Sequence, residues 1–230
     1  RLKKEFPPGP VVVVGAPVVR NGKKFNTAVV FHGGKIIGEY HKMLLPNYGV
    51  FDEQRYFTRG SAATVVEYAG FRLGLLICED LWQDGPVAAA RAAGAEILLV
   101  TNASPYEQGK QAQRETLLQR RAQESGLPIA YVNLVGGQDE LVFDGQSVVV
   151  DRRGEVVLRS RAFDEALDLV EFHRTPEGHA ELAARTEALE RPLKALDTHL
   201  ATHGGHMVGA RFTVADINMA EILRYVQPHT

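Results

Sequence analysis

The segment GLLICEDLW, Gly74 to Trp82, holds the single cysteine of the chain. An apolar run ends at Cys78, and Glu79, Asp80 and Trp82 follow it. A free cysteine most often fills space in a core. This one closes an apolar strand and precedes a turn towards a helix, and in open α/β sheets sites form outside the carboxyl ends of strands. A thiol so placed can act as a nucleophile and form a covalent acyl intermediate. Its neighbours oppose that role, because Glu79 and Asp80 favour the neutral thiol. A thiolate there needs a cation, a base or backbone donors nearby. Lys42, in HKMLLPNYGVFDEQRYF, ends a different strand and is the candidate cation. Beside Cys78 its ammonium would favour the thiolate or stabilise a developing oxyanion; away from it, Lys42 would be an ordinary solvated lysine.

Other patterns carry less chemistry. VGGQDE, Val135 to Glu140, looks like a phosphate loop but lacks both serines of the Ser-Gly-Gly-x-Asp-Ser pattern, and neither GxGxxG nor GxxxxGK[ST] occurs. Without such a loop no nucleotide cofactor is expected. His199 and His203 are four apart and His206 follows a glycine pair. Zinc sites add further well-placed ligands and a supporting shell, so HGGH reads as a polar helix end and loop, and no metal is expected.

The elements that must position Cys78 and Lys42 are mostly strands. VVVVGAP, Val11 to Pro17, is a β-branched run of the kind found in strands covered on both faces. Phe25 to Lys42 reads as two strands around Gly33-Gly34, and ATVVEYAGFRLGLLIC as two strands around Gly70. Pro86 to Ala95 is a short alanine-rich helix, and EILLVTNAS a buried strand. Gly109 to Gly126 is a polar helix with Leu117, Leu118 and Ala122 as its apolar stripe, closed by Gly126 and Pro128. PIAYVNLVGG, QSVVVDRRGEVVLRS and ALDLVEF supply further strands, with a tight turn at Asp151 to Gly154. Beyond residue 173 the pattern changes: Leu182, Leu189, Leu193, Leu196 and Leu200 follow a helical period, interrupted by Pro192. Two units are therefore expected, residues 1–173 and 177–230, the second all-helical.

The totals narrow the classes. A chain of 230 residues can bury a sizeable core. A formal charge of −2 gives no basic face for nucleic acid. One cysteine forms no internal disulfide, RLKKEFPPGP lacks the apolar core of a signal peptide, and no apolar stretch reaches membrane-spanning length. A cytoplasmic protein without membrane or nucleic-acid partners is the expectation.

YHKMLLPNYGVFDEQRYF and GFRLGLLICEDLW together resemble the carbon–nitrogen hydrolase (nitrilase) superfamily, most closely the glutaminase domain of glutamine-dependent NAD synthetases. EILLVTNASPYEQGK and IAYVNLVGGQDELVFDGQSVVVDRRGEVV extend the likeness from about residue 8 to 172. The resemblance implies an α/β fold, a nitrilase-like αββα sandwich, and hydrolysis of the glutamine side-chain amide through a cysteine thioester, with ammonia released for NAD synthesis. Cys78 matches the nucleophile, Lys42 the lysine of the Cys–Glu–Lys triad, and Glu53 the auxiliary glutamate. Backbone N–H groups after Cys78 complete the oxyanion site. Tyr48, Glu79 and Ser104 are expected to hold the substrate. The general-base glutamate should precede PPGPVVVV, on a loop after the first strand of the fold. That strand and loop are expected to be missing before Arg1, with Glu5 too close to the next strand to substitute, so weak or absent glutaminase activity is expected. A separate synthetase domain or subunit would take the ammonia, and homo-oligomers are expected.

LERPLKALDTHLATHGGHMVGARFTVADINMAEILRYVQ, about residues 187–227, resembles the helical C-terminal domain of glutathione transferases. Within it, Thr213 and Asp216 form a capping box, with Phe212 and Ile217 as a hydrophobic staple. The domain that grips glutathione has no counterpart in the sequence, so transferase activity is not expected. A non-catalytic oligomerisation or interaction module and a glutathione-transferase relative are the alternatives to the amide hydrolase.

Overall fold

The computed structural model describes residues 11–184. Glu5, Leu189 to Leu200, His199, His203, His206 and the Thr213–Asp216 capping box lie outside the described residues.

In chain order the elements are β1 (Val12–Arg20), β2 (Lys23–His32), β3 (Lys35–His41), α1 (Glu53–Tyr56), β4 (Val65–Tyr68), β5 (Phe71–Ile77), α2 (Glu79–Trp82), α3 (Asp84–Ala92), β6 (Ile97–Asn102), α4 (Lys110–Ser125), β7 (Ile129–Asn133), β8 (Val135–Gln138), β9 (Leu141–Asp144), β10 (Val148–Val150), β11 (Val156–Arg159), β12 (Val170–Arg174) and β13 (Ala180–Ala184). β1, β2 and β3 form an antiparallel sheet in that order. Its turns, Asn21-Gly22 and Gly33-Gly34, have positive φ at both positions, the geometry whose twist matches a two-residue hairpin.

The second sheet has the order β11-β10-β7-β6-β5-β4. Its centre, β5-β6-β7, is parallel, and β4, β10 and β11 are antiparallel additions. Parallel neighbours need crossovers; α2 and α3 join β5 to β6, and α4 joins β6 to β7. The central strands read as unbroken apolar runs because both faces are covered. A Cβ on Gly38 of β3 would meet Val66 of β4, whereas one on Gly74 of β5 would meet Ala90 of α3. The first sheet therefore lies on one face of the second and the helices on the other. Ala28, Val30 and Tyr40 share one core with Leu73, Leu75, Ile97, Val100, Leu117 and Leu118.

Two expectations are corrected. β1 is only partly buried, because among the described residues it pairs with β2 alone and forms a sheet edge. Leu182, placed on a helical stripe by its spacing, lies in β13 opposite Phe172 in a hairpin with β12. There Ala180 and Leu182 alternate inward, and Gly178, with φ +83, lets the chain reverse. Contact with the core overrides the helix preference of AELAA.

Candidate active site

Cys78 stands where β5 ends and α2 begins, with φ +43 and ψ −99. That backbone is rare for a residue with a Cβ and costs about 1–3 kcal/mol unless its surroundings hold it. Here Cys78 N donates to Thr101 O at 3.1 Å, and Leu81 N donates to Cys78 O at 3.0 Å. The strain turns the chain sharply out of the sheet at the carboxyl end of a parallel strand. Asn102 and Asn133 end the two neighbouring parallel strands, one after the other.

Lys42 follows the last residue of β3. Its N–H donates to Asn26 O and its carbonyl accepts from Gly60 N, each at 2.8 Å. Lys42 is only 2% exposed, and its Nζ donates to Glu53 Oε1 at 2.5 Å. Glu53 opens α1 and is fixed in turn by Asn26 Nδ2, which donates to Oε2 at 3.3 Å. A buried ammonium without such a partner would be strongly disfavoured.

Burial pushes the Cys78 thiol up to about 11; Lys42 pulls it down, and Glu53, Glu79 and Asp80 push it further up. The lysine therefore acts on the sulfur without offsetting burial, and the resting thiol is neutral near pH 7. Tyr48 Oη donates to Glu79 Oε2 at 2.8 Å. Burial, then this carboxylate, moves the phenol up to about 12, and Cys78 adds to the shift. Lys42 and Glu53 from one stretch, and Glu79 and Asp80 from another, thus act electrostatically on Cys78.

Ser104 sits deeper. Its N–H donates to Asn133 Oδ1 at 2.9 Å, and its Oγ accepts from Arg114 Nε at 3.3 Å. Arg114, on α4, also donates to Ser104 O and Pro105 O and pairs with both oxygens of Asp144 at 2.9 and 2.8 Å. Both members of that ion pair are buried. Tyr131 of β7 is buried beside this group, with its hydroxyl turned towards Ser104. Burial, then Cys78, raises its phenol far above the usual range. Ser104 belongs to this buried group, whereas Tyr48 and Glu79 form an exposed pair.

The sequence reading missed Asp80 as a structural group. It is fully buried and accepts hydrogen bonds from Tyr40 Oη at 2.8 Å, Leu44 N at 2.9 Å and Ile77 N at 3.1 Å. It also missed Arg114 and Arg121. The latter donates from Nε to Leu81 O and from Nη2 to Trp82 O, holding the end of α2. A signal existed for the arginines: residues 114, 117, 118, 121, 122 and 125 share one helical stripe, and all are buried. Asp80 carried none, since two of its three donors, Tyr40 Oη and Leu44 N, come from a distant segment. Among the described residues no cluster of three metal-ligating side chains occurs, and no helix is long and apolar enough to cross a membrane.

Comparison with known proteins bears on this arrangement. A model of the carbon-nitrogen hydrolase family matches residues 8–174, and one of the glutathione S-transferase C-terminal domain matches residues 163–229. The glutamine-dependent NAD(+) synthetase of Xylella fastidiosa strain Temecula1 is 48% identical over 169 residues, 73% of this chain and 31% of that protein. That of Aquifex aeolicus is 44% identical over 170 residues, 71% of this chain and 30% of that protein. The chain thus spans about a third of the length of these relatives. The structure of the glutamine-dependent NAD+ synthetase from Acinetobacter baumannii superposes with a TM-score of 0.71 at 40% identity, covering 77% of this chain and 34% of that one. A mutant of the amidase from Nesterenkonia sp. AN1, with the acetamide moiety of fluoroacetamide added covalently at its active site cysteine, superposes with a TM-score of 0.60 at 27% identity, covering 81% and 67%.

Proposed function

The chain belongs to the carbon–nitrogen hydrolase family, and from that premise we propose that it hydrolyses the side-chain carboxamide of glutamine at Cys78. In this reading Cys78 Sγ attacks the carboxamide carbon as its proton passes to a base. The carbonyl oxygen becomes an oxyanion, stabilised by the Lys42 ammonium and by the backbone N–H groups of Glu79 and Asp80 that open α2. The intermediate collapses, the C–N bond breaks, and the nitrogen takes a proton and leaves as ammonia. Water then attacks the thioester, releasing glutamate and restoring the thiol.

Glu53 holds the ammonium of Lys42 in place. Tyr48 and Glu79 contact the outer end of the substrate, and Ser104 the inner end. The observation that carries this reading is the buried Lys42 acting on a half-buried cysteine held in a strained turn. The names of the relatives support glutamine as the amide and a synthetase unit as the receiver of ammonia. The test is ammonia release from glutamine by the purified chain. Turnover that is lost in Cys78→Ala supports the reading; turnover unaffected by that substitution, or none at all, overturns it.

A further inference from the structure

Asp80 is costly where it stands. Burying a carboxylate without full compensation is unfavourable, and an apolar side chain is often the more stable choice at such a position. Its charge also works against the chemistry, since it raises the Cys78 thiol. What the carboxylate does supply is a link. Oδ1 accepts from Leu44 N, two residues after Lys42, and Oδ2 accepts from Ile77 N, the residue before Cys78. Tyr40 Oη, from the strand that leads to Lys42, donates to Oδ2 as well. One rigid group thus bridges the segment that carries the lysine and the turn that carries the sulfur, across the interface between the two sheets.

We propose that Asp80 is a positioning residue, whose carboxylate sets the alignment of Lys42 on Cys78 by fixing Leu44 N and Ile77 N to one group. The proposal rests on the amide-hydrolase reading for the use of that alignment, but not for its existence. It has the opposite sign from electrostatics. Removing a negative charge beside Cys78 should by itself ease ionisation of the thiol. Removing the bridge should loosen Lys42 and oppose ionisation.

The experiment follows modification of Cys78 by methyl methanethiosulfonate at pH 8, which needs no glutamine chemistry, in wild type, Asp80→Asn, Asp80→Glu and the same changes in a Lys42→Met background. Folding is checked by near-UV circular dichroism. Asp80→Asn is expected to react at least threefold more slowly than wild type. Asp80→Glu, which keeps the charge and displaces the oxygens, is expected to slow as well, and so gives the answer if the asparagine variant does not fold. In the Lys42→Met background both effects should shrink to less than twofold. A folded Asp80→Asn that reacts as fast as wild type or faster, or an unchanged Asp80→Glu, overturns the proposal. So does a slowing that persists without Lys42. Failure of the wild type to release ammonia from glutamine would instead overturn the amide-hydrolase reading and leave this result standing.

Discussion

Lys42 Nζ and Glu53 Oε1 lie 2.5 Å apart, joining the end of β3 to the first residue of α1. The ammonium is buried and the carboxylate partly so, and the same ammonium acts on Cys78. One lysine therefore has two anionic targets, a permanent carboxylate and a sulfur that becomes anionic only on reaction. The permanent partner keeps the charge in place while the sulfur is neutral.

Lys42→Met tests the second link. Without the ammonium, the remaining influences on Cys78 all push the thiol up. Modification by methyl methanethiosulfonate at pH 8 is expected to slow about tenfold, the equivalent of one pKa unit. An unchanged rate would show that Lys42 does not act on the sulfur.

The pH dependence of wild-type Cys78 follows from burial. With the thiol pushed up to about 11, the thiolate fraction grows about tenfold per pH unit below that value. The logarithm of the modification rate, measured without substrate, should rise linearly from pH 7 to 10. A plateau starting below pH 9 would contradict the assignment.

Asp80 makes stability depend on pH in a direction unusual for a carboxylate. Burial raises it to about 6, although Leu44 N, Tyr40 and Ile77 N pull it down. The folded value lies above the unfolded one, about 3.9. Its contribution is therefore fully present below about pH 4 and is lost as pH rises through 6, by about 2–3 kcal/mol. Urea unfolding of wild type and Asp80→Asn across pH 4 to 7 should show the difference between them changing by that amount. A constant difference would refute it.

Arg114 and Asp144 form a fully buried pair. Arg114→Met strands the carboxylate and is expected to cost about 3–5 kcal/mol in urea unfolding. Arg114→Met with Asp144→Leu should recover a large part of that loss. If the double variant is no better than the single one, the ion pair is not what makes the position sensitive.

Gly60 leaves no room for a side chain. A Cβ there would stand 1.9 Å from His41 O and 2.7 Å from His41 C, backbone atoms next to Lys42. Gly60→Ala must push that strand end aside, and a loss of about 3 kcal/mol is expected. Cys78 modification should slow with it, since the displaced segment carries the lysine. Wild-type stability in Gly60→Ala would show that the loop yields instead.

Much of the strand layout was legible in the sequence because each strand records its own surroundings. β5, β6 and β7 are short apolar runs, and Gly33-Gly34 and Gly70 mark turns that only positive φ can close. AELAA was misread for the complementary reason. Five residues hold too little pattern to separate a period of two from a period of 3.6, and its partner strand decides. The hairpin of β8 and β9 is likewise missed: Val135 to Gly137 reads as the end of the strand PIAYVNLVGG, and Leu141 to Asp144 reads as no element.

The chain's order of residues determined which chemistry was possible: one thiol at a strand end, one lysine at another, and carboxylates near both. These are local facts, written in residue type and neighbour. Tertiary structure alone decided that Lys42 is buried on Glu53, that Asp80 serves as a bridge rather than as a mere charge beside the thiol, and that two arginines of a polar helix face inward. A buried charge is tolerated only where its partners stand, and those partners lie 11, 36 and 30 residues away for Lys42–Glu53, Leu44–Asp80 and Arg114–Asp144.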